Sequence, residues 1–453
     1  MYKNLEKRNI FVIPAGEYFE HESEACCVIY APLADKYFIA TPEFAAQLEM
    51  EAKQLITSAS GLSSKLEELG LLEGDERLSL EQCEDESKVT HLYLLLNEKC
   101  NFHCSYCYSA AGRSSAVMEM PRIEYMVHRV VNNAINSGQD FIGITFMGGG
   151  EPFLSWELLE QTVDYAKKVC GPKKLKIGFS VSTNGSLLTD ERLQFLKENH
   201  FSLQVSFEVL EDVQNQQRGE FVRVNNNIKK ALTYLPKHVV IRSTITWLNV
   251  ERIAEMVETC MREYPDIRIL VLEPVIDTET FKDAESLNKF LSVFFENYLK
   301  AKSLSKAMNI RIGNSCYDSV DSLKKRYCSS MYCLTPYGSV MDCPNVSSPN
   351  QPGYDDEVYG TFDNGELRID SSAWQRIMTN YLQTDSQCAS CWAKWNCGGG
   401  CRSQRLVYSE SLFRELCAFR KNLLLHSIIE RMTASFFKST GQDMKSVVMS
   451  QLK

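Results

Sequence analysis

The sequence predicts an α/β protein, a partial (β/α)6 barrel with a small α+β unit before it and a cysteine-rich domain after it. Two observations carry this. From His91 to about Pro274, short apolar runs alternate with longer amphipathic stretches. Strand–helix alternation of this kind implies βαβ units on a parallel sheet. Beyond that region the cysteines gather at 316–343 and 388–417, with one earlier group at 100–107.

Residues 1–88 read as a separate unit. Ala25–Tyr30 and Lys36–Ala40 are two strands around the turn Pro32-Leu33-Ala34-Asp35, and helical stretches follow at 42–57 and 61–71. The charged and polar run from Glu73 to Ser87 reads as a linker. In the barrel region, 89–277, strands are expected at 92–96, 141–147, 175–181, 201–207, 238–245 and 267–272. Helices between them fall at about 122–137, 155–170, 189–199, 223–235 and 249–263. Six such units make a TIM-like barrel open on one side, and sites in parallel barrels sit at the C-terminal strand ends. A helical linker, 278–312, leads to the cysteine-rich domain, 313–437, whose last helix starts near 411. The tail, 438–453, is expected to fray.

Composition excludes several classes. Net charge is -9 and there is no basic run, so nucleic acid is not an expected partner. No stretch is long enough to span a membrane. The apolar run Ile10–Pro14 is too short for a signal peptide, so a cytoplasmic protein is expected. Clustered thiols in such a chain favour metal over disulfide, and the seventeen cysteines are an odd number. Cys26, Cys27, Cys83, Cys170, Cys260 and Cys333 fall outside the expected ligands and read as small buried apolar residues.

The first strand runs into Asn97-Glu98-Lys99-Cys100-Asn101-Phe102-His103-Cys104-Ser105-Tyr106-Cys107. Three thiolates at this spacing can hold three irons of a four-iron cluster and leave the fourth open to a ligand. The second strand ends in Gly148-Gly149-Gly150-Glu151-Pro152, and glycines let a backbone approach a ligand closely. The third ends in Ser182-Thr183-Asn184-Gly185, and the fourth leads through Ser206 to Arg218. This set resembles the radical S-adenosylmethionine (SAM) superfamily. The resemblance implies a 4Fe-4S cluster on Cys100, Cys104 and Cys107, with SAM chelated at the open iron. It implies cofactor contacts from Tyr106, Gly148, Gly149, Gly150, Glu151, Pro152, Ser182, Asn184, Ser206 and Arg218, and an arginine there can clamp a carboxylate bidentately. Glu208 and Val209 depart from the family's Asp-Gly.

The later cysteines resemble the SPASM domain, a module holding two auxiliary clusters. Cys328 precedes Gly338 and Cys343, and Cys388-x2-Cys391-x5-Cys397-x3-Cys401 and Cys417 follow. By this resemblance Cys328, Cys343 and Cys401 hold the first auxiliary cluster, and Cys388, Cys391, Cys397 and Cys417 the second. Cys316 is expected as the remaining ligand of the first, with Cys333 or no protein ligand as alternatives. The cofactor set is then SAM and three 4Fe-4S clusters. Without the barrel beside it, the same spacing would read as structural zinc.

The resemblance implies hydrogen abstraction by a 5'-deoxyadenosyl radical, with the auxiliary clusters taking up an electron in a net oxidation. The expected substrate is a ribosomally made precursor peptide with its leader, cross-linked through a C–C or thioether bond. A flavodoxin or ferredoxin is the expected electron donor. Residues 1–88 are then either a leader-binding winged-helix unit or a scaffold that caps the barrel. The alternative is an anaerobic sulfatase maturase, making formylglycine. Those enzymes usually carry Asp directly after a cysteine of the first auxiliary cluster; here Cys343 is followed by Pro344, with Asp342 before it. A non-catalytic electron-transfer or zinc-binding protein is a third reading. Asp342 and Glu273 are the candidate bases, chosen by position.

Overall fold

The computed structural model describes every residue except 1, 21, 23, 24, 58–64, 73–84, 276, 278, 309, 380 and 453. Most of the expected linker and the start of the expected 61–71 helix lie outside the described residues, as does Cys83; within that helix, Lys65–Glu68 is helical.

The N-terminal unit is a three-stranded antiparallel sheet, β1 (Phe11–Pro14), β2 (Cys27–Ala31) and β3 (Lys36–Ala40), followed by the Pro42–Thr57 helix. β1 was not expected from the sequence, and it pairs Phe11–Pro14 with Cys27–Tyr30. Side chains alternate across a strand, and here both faces are covered. Phe11, Ile13, Val28 and Tyr30 pack on Trp395, Leu424 and Ile428 of the C-terminal region. Cys27, Ile29 and Ala31 pack on Ala45, Leu48 and Ala52 of the helix. β2 is therefore buried along its whole length.

The barrel strands follow the expected order: β4 (His91–Leu94), β5 (Phe141–Phe146), β6 (Lys176–Thr183), β7 (Ser202–Ser206), β8 (Val239–Ile245) and β9 (Ile269–Pro274). All neighbours pair in parallel. The helices between them bury one stripe each; Met120–Asn136, for example, buries Ile123, Val127, Val130 and Val131.

The sheet is wider than six strands. β10 (Arg311–Gly313) adds in parallel to β9, and β11 (Tyr332–Leu334) adds in parallel to β4. β12 (Ser339–Met341), β13 (Val358–Asp363) and β14 (Glu366–Ile369) extend it antiparallel to eleven strands. The cysteine-rich region thus continues the barrel sheet. The C-terminal tail does not fray: the Glu410–Thr440 helix is followed by Met444–Gln451, capped by Asp443. Met444 is buried in the core under the N-terminal sheet.

Candidate functional site

A cavity of about 780 Å³ opens at the C-terminal ends of the barrel strands. Cys100, Cys104 and Cys107 line it from the loop after β4, and each is half-buried. Gly148, Gly149 and Gly150 line it after β5. Gly150 lies so close to that loop that a Cβ would stand 1.8 Å from the Lys99 carbonyl oxygen. Only a glycine lets the two segments meet. Its N–H donates to the Asn97 carbonyl at 2.8 Å, and the Glu151 N–H donates to Lys99 at 2.7 Å.

Glu151 is buried, and its carboxylate is taken up inside the protein. It accepts from the Thr183 hydroxyl at 2.6 Å, the Asn184 N–H at 2.8 Å and the Phe153 N–H at 3.1 Å. Glu151 therefore ties the glycine segment to the segment after β6. Asn184 in turn donates to Asn101 at 2.9 Å. Ser182 and Ser206 also line the cavity, and Gln204 donates to Ser182 at 2.9 Å. Pro152 alone among the expected cofactor contacts is outside the lining; it is buried at the start of a short 3-10 turn.

Tyr106, Arg218 and Glu208 form a buried network behind the cysteine loop. Arg218 donates to the Tyr106 hydroxyl at 2.8 Å, and that hydroxyl donates to Glu208. Glu208 also accepts from the Ser243 hydroxyl at 2.5 Å and the Thr244 N–H at 3.1 Å. Burial pushes the Glu208 carboxyl up, against the pull of Arg218. Burial alone would lower the Arg218 pKa, but the charges of Tyr106, Cys104 and Glu208 raise it, so it stays a cation. Its Nε has no hydrogen-bond partner.

Three residues here were not singled out in the sequence. Arg113 donates to the Cys107 sulfur at 3.1 Å and to the Gly149 carbonyl at 3.3 Å. Glu98, beside Gly149, is fully buried; burial pushes its carboxyl up to about 7, and Ser347 and Arg113 oppose this. Arg242 projects from β8 into the cavity. The only sequence signal was an isolated charge next to the triplet or on an apolar strand.

The later cysteines fall in two places. Cys328, Cys343 and Cys401 line a second, smaller cavity together with Asp342 and Glu357. Gly398 and Gly400 line it too, and a Cβ on Gly398 would meet Arg326 backbone at 2.3 Å. Cys388, Cys391, Cys397 and Cys417 act electrostatically on one another. Cys316 does not line that smaller cavity, though it shares the main one with Cys401. It lines the main cavity, and burial and then Arg420, Glu273 and Cys397 act on its thiol. Cys333 lies in the apolar core of β11. None of the sixteen described cysteines is in a disulfide, and among the described residues no three donors converge as they would on a single ion.

The two candidate bases separate. Glu273 faces the main cavity and accepts from the Ser315 N–H at 2.8 Å and its hydroxyl at 3.1 Å; burial pushes its carboxyl up. Asp342 is held in the smaller cavity by Arg326 at 2.6 Å and the Met331 N–H at 3.1 Å.

The sequence model of the radical SAM superfamily matches residues 94–291. The chain is 24% identical over 344 residues to the cysteine-type anaerobic sulfatase-maturating enzyme of Clostridium novyi, covering 68% of this chain and 86% of that one. It is 27% identical over 146 residues to the radical SAM cyclopropyl synthase TigE of Paramaledivibacter caminithermalis, covering 29% of this chain and 30% of that one. Among solved structures, anSMEcpe with bound AdoMet and the Cp18Cys peptide has a TM-score of 0.58 at 20% identity, over 75% of this chain and 97% of that one. SuiB of Streptococcus suis bound to S-adenosylmethionine has a TM-score of 0.51 at 14% identity, over 89% and 97%. At these identities the structural likenesses establish the fold.

Proposed function

We propose that this chain, an enzyme whose residues 94–291 are a radical SAM domain, matures a ribosomally made peptide by hydrogen abstraction and cross-linking. The domain implies SAM and a 4Fe-4S cluster, and the local chemistry fits them. Three half-buried thiols sit on one loop, a glycine cradle admits no Cβ, and an arginine has an unpartnered buried Nε. Cys100, Cys104 and Cys107 would hold the cluster, with Gly149, Ser182, Ser206 and Arg218 around SAM. When bound, this pair supplies a 5'-deoxyadenosyl radical, which can attack an unactivated C–H bond.

The protein's own residues position and enclose. Glu151 fixes the Asn184 segment against the glycines. Glu208 and Tyr106 hold Arg218 in one orientation. The observation that carries a large substrate is the cavity itself. It runs from the cysteine triplet to Glu273, Cys316, Cys401 and Arg420, leaving room for a peptide segment beside SAM. Glu273, which lines the same cavity, would accept a proton there. Cys388, Cys391, Cys397 and Cys417 would hold one auxiliary cluster, and Cys328, Cys343 and Cys401 would anchor another.

The peptide class rests on the relatives. The named enzymes that match include a sulfatase-maturating enzyme and a cyclopropyl synthase. The 86% coverage of the Clostridium novyi enzyme favours the second reading, formylglycine formation. The position of Asp342 favours the first, since it is outside the main cavity and held by Arg326. The extra sheet β1–β2–β3 would serve a leader peptide by strand addition at one of its outer strands, β1 or β3. Among the described residues, no helix is long and apolar enough to cross a membrane.

The test is a product analysis. Reconstituted enzyme, SAM and a reductant are incubated with the peptides encoded beside its gene and, separately, with a cysteine-containing sulfatase peptide. A dehydrogenated, internally bonded genomic peptide supports cross-linking. An aldehyde trapped by a hydrazide on the sulfatase peptide, with the genomic peptides untouched, replaces it with the second reading.

A further inference from the structure

The smaller cavity, lined by Cys328, Cys343 and Cys401, has no fourth cysteine in its wall. This inference rests on the reading in which Cys328, Cys343 and Cys401 hold a cluster. Cys316 lines the other cavity with Glu273 and Tyr327, and of the three cysteines only Cys401 also reaches that cavity. Cys333 is fully buried, packed with Leu95, Met341, Val346 and Tyr354. Neither lines the cavity of the three cysteines.

Two carboxylates do. Asp342 is committed, with one oxygen accepting from Arg326 and the other from the Met331 N–H. Glu357 is different. It is 1% exposed, and its Oε1 accepts no hydrogen bond. The Arg402 Nε stands 3.4 Å away in an ion pair that opposes the upward push of burial, but neither atom completes a hydrogen bond. An ion pair without a hydrogen bond leaves the lone pairs of this buried oxygen unfilled, and buried polar atoms normally fill them. Its charge acts on both the Cys343 and Cys401 thiols. The backbone puts it there: Glu357 ends the short Tyr354–Glu357 helix just before β13, which pairs with β12 immediately upstream of Asp342 and Cys343.

We propose that the Glu357 carboxylate is the fourth protein ligand of the first auxiliary cluster, giving a three-thiolate, one-carboxylate set in place of four cysteines. Carboxylates bind iron alongside nitrogen and sulfur donors. Arg402 then acts as the outer partner that orients the ligating carboxylate, as such partners commonly do. Cys316 is left free in the main cavity.

The test is iron and sulfide content, with a redox titration followed by EPR, on the anaerobically reconstituted full chain. Cys316→Ala is expected to keep the wild-type iron content and every auxiliary midpoint potential. Glu357→Gln is expected to lose about one iron per chain and to show a three-iron signal. Glu357→Cys is expected to restore the four-iron signal at a shifted potential, which separates ligand loss from misfolding. Loss of iron in Cys316→Ala, with the Glu357→Gln signals unchanged, would overturn the assignment. If Cys343→Ala removes no iron from the wild-type complement, the auxiliary-site reading fails as well, a result distinct from the first.

Discussion

Replacing Glu208 by Gln tests the network that holds Arg218. The substitution keeps size and shape but removes one charge. Arg218 Nη1 is 3.9 Å from the Glu208 carboxylate, and the two side chains are 8% and 0% exposed. At an effective dielectric of about 20, that separation corresponds to about 4 kcal/mol of attraction. Breaking a buried pair by removing one partner costs about 3–5 kcal/mol, because the other charge stays behind uncompensated. The amide adds a second problem. Ser243 and Thr244 both donate to one oxygen of Glu208, and Tyr106 donates to the other. A glutamine must turn its NH2 toward one of these donors. Glu208→Gln should therefore lose about 4 kcal/mol in anaerobic urea unfolding and bind SAM more weakly. Arg218→Met should be similarly damaging, while the double variant should recover much of the loss. If Glu208→Gln lies within about 0.5 kcal/mol of wild type, or the cycle is additive, the pair is not what holds this wall together.

Other outcomes follow from the same structure. Gly150→Ala should reduce SAM cleavage at least about 100-fold, because the loops must part; Gly171→Ala, with nothing within 4 Å, should be near neutral in the same 5'-deoxyadenosine assay. Tyr30→Phe removes the donor to the buried Asn396 amide oxygen, a 2.7 Å bond between the N-terminal sheet and the short Lys394–Cys397 helix. It should cost about 1–3 kcal/mol and speed hydrogen exchange in β2. His426 sits between the rings of Tyr18 and Phe295, and burial pulls its pKa from 6.5 down to about 4. The unfolded chain therefore takes up that proton first. This contribution to stability is whole above pH 6.5 and lost as pH falls toward 4, about 3 kcal/mol in all. His426→Phe should flatten that part of the stability–pH curve measured by denaturant unfolding.

The parallel barrel was legible because each buried strand and amphipathic helix carries its own period. Phe141–Phe146 and the Trp156–Cys170 helix need no distant information to be read. β1 was not legible, since Phe11–Pro14 is only four residues long and becomes a strand by pairing with β2. The tail helix is similar: Met444 is held by a core assembled from residues hundreds of positions away. The short spacings brought Cys388, Cys391 and Cys397 within electrostatic reach of one another, whereas Cys328, Cys343 and Cys401 share a cavity only through the fold. Glu357 has no spacing relation to Cys343 and reaches that cavity only through the β12–β13 pairing. Val209 shows how a departure from a motif can mislead. It replaces the family's glycine yet keeps φ at 66°, the left-handed conformation that glycine takes easily. Its side chain is 1% exposed, so burial offsets the strain and Glu208 keeps its place.

The measurement that bears most directly on the central claim compares wild type with Cys104→Ala after anaerobic reconstitution, scoring iron, sulfide and 5'-deoxyadenosine with SAM and a reductant. The account predicts about twelve irons and SAM cleavage in the wild type. It predicts about four fewer irons and no cleavage in the variant, with the fold retained. Zinc in place of iron, or 5'-deoxyadenosine still formed by Cys104→Ala, would contradict it.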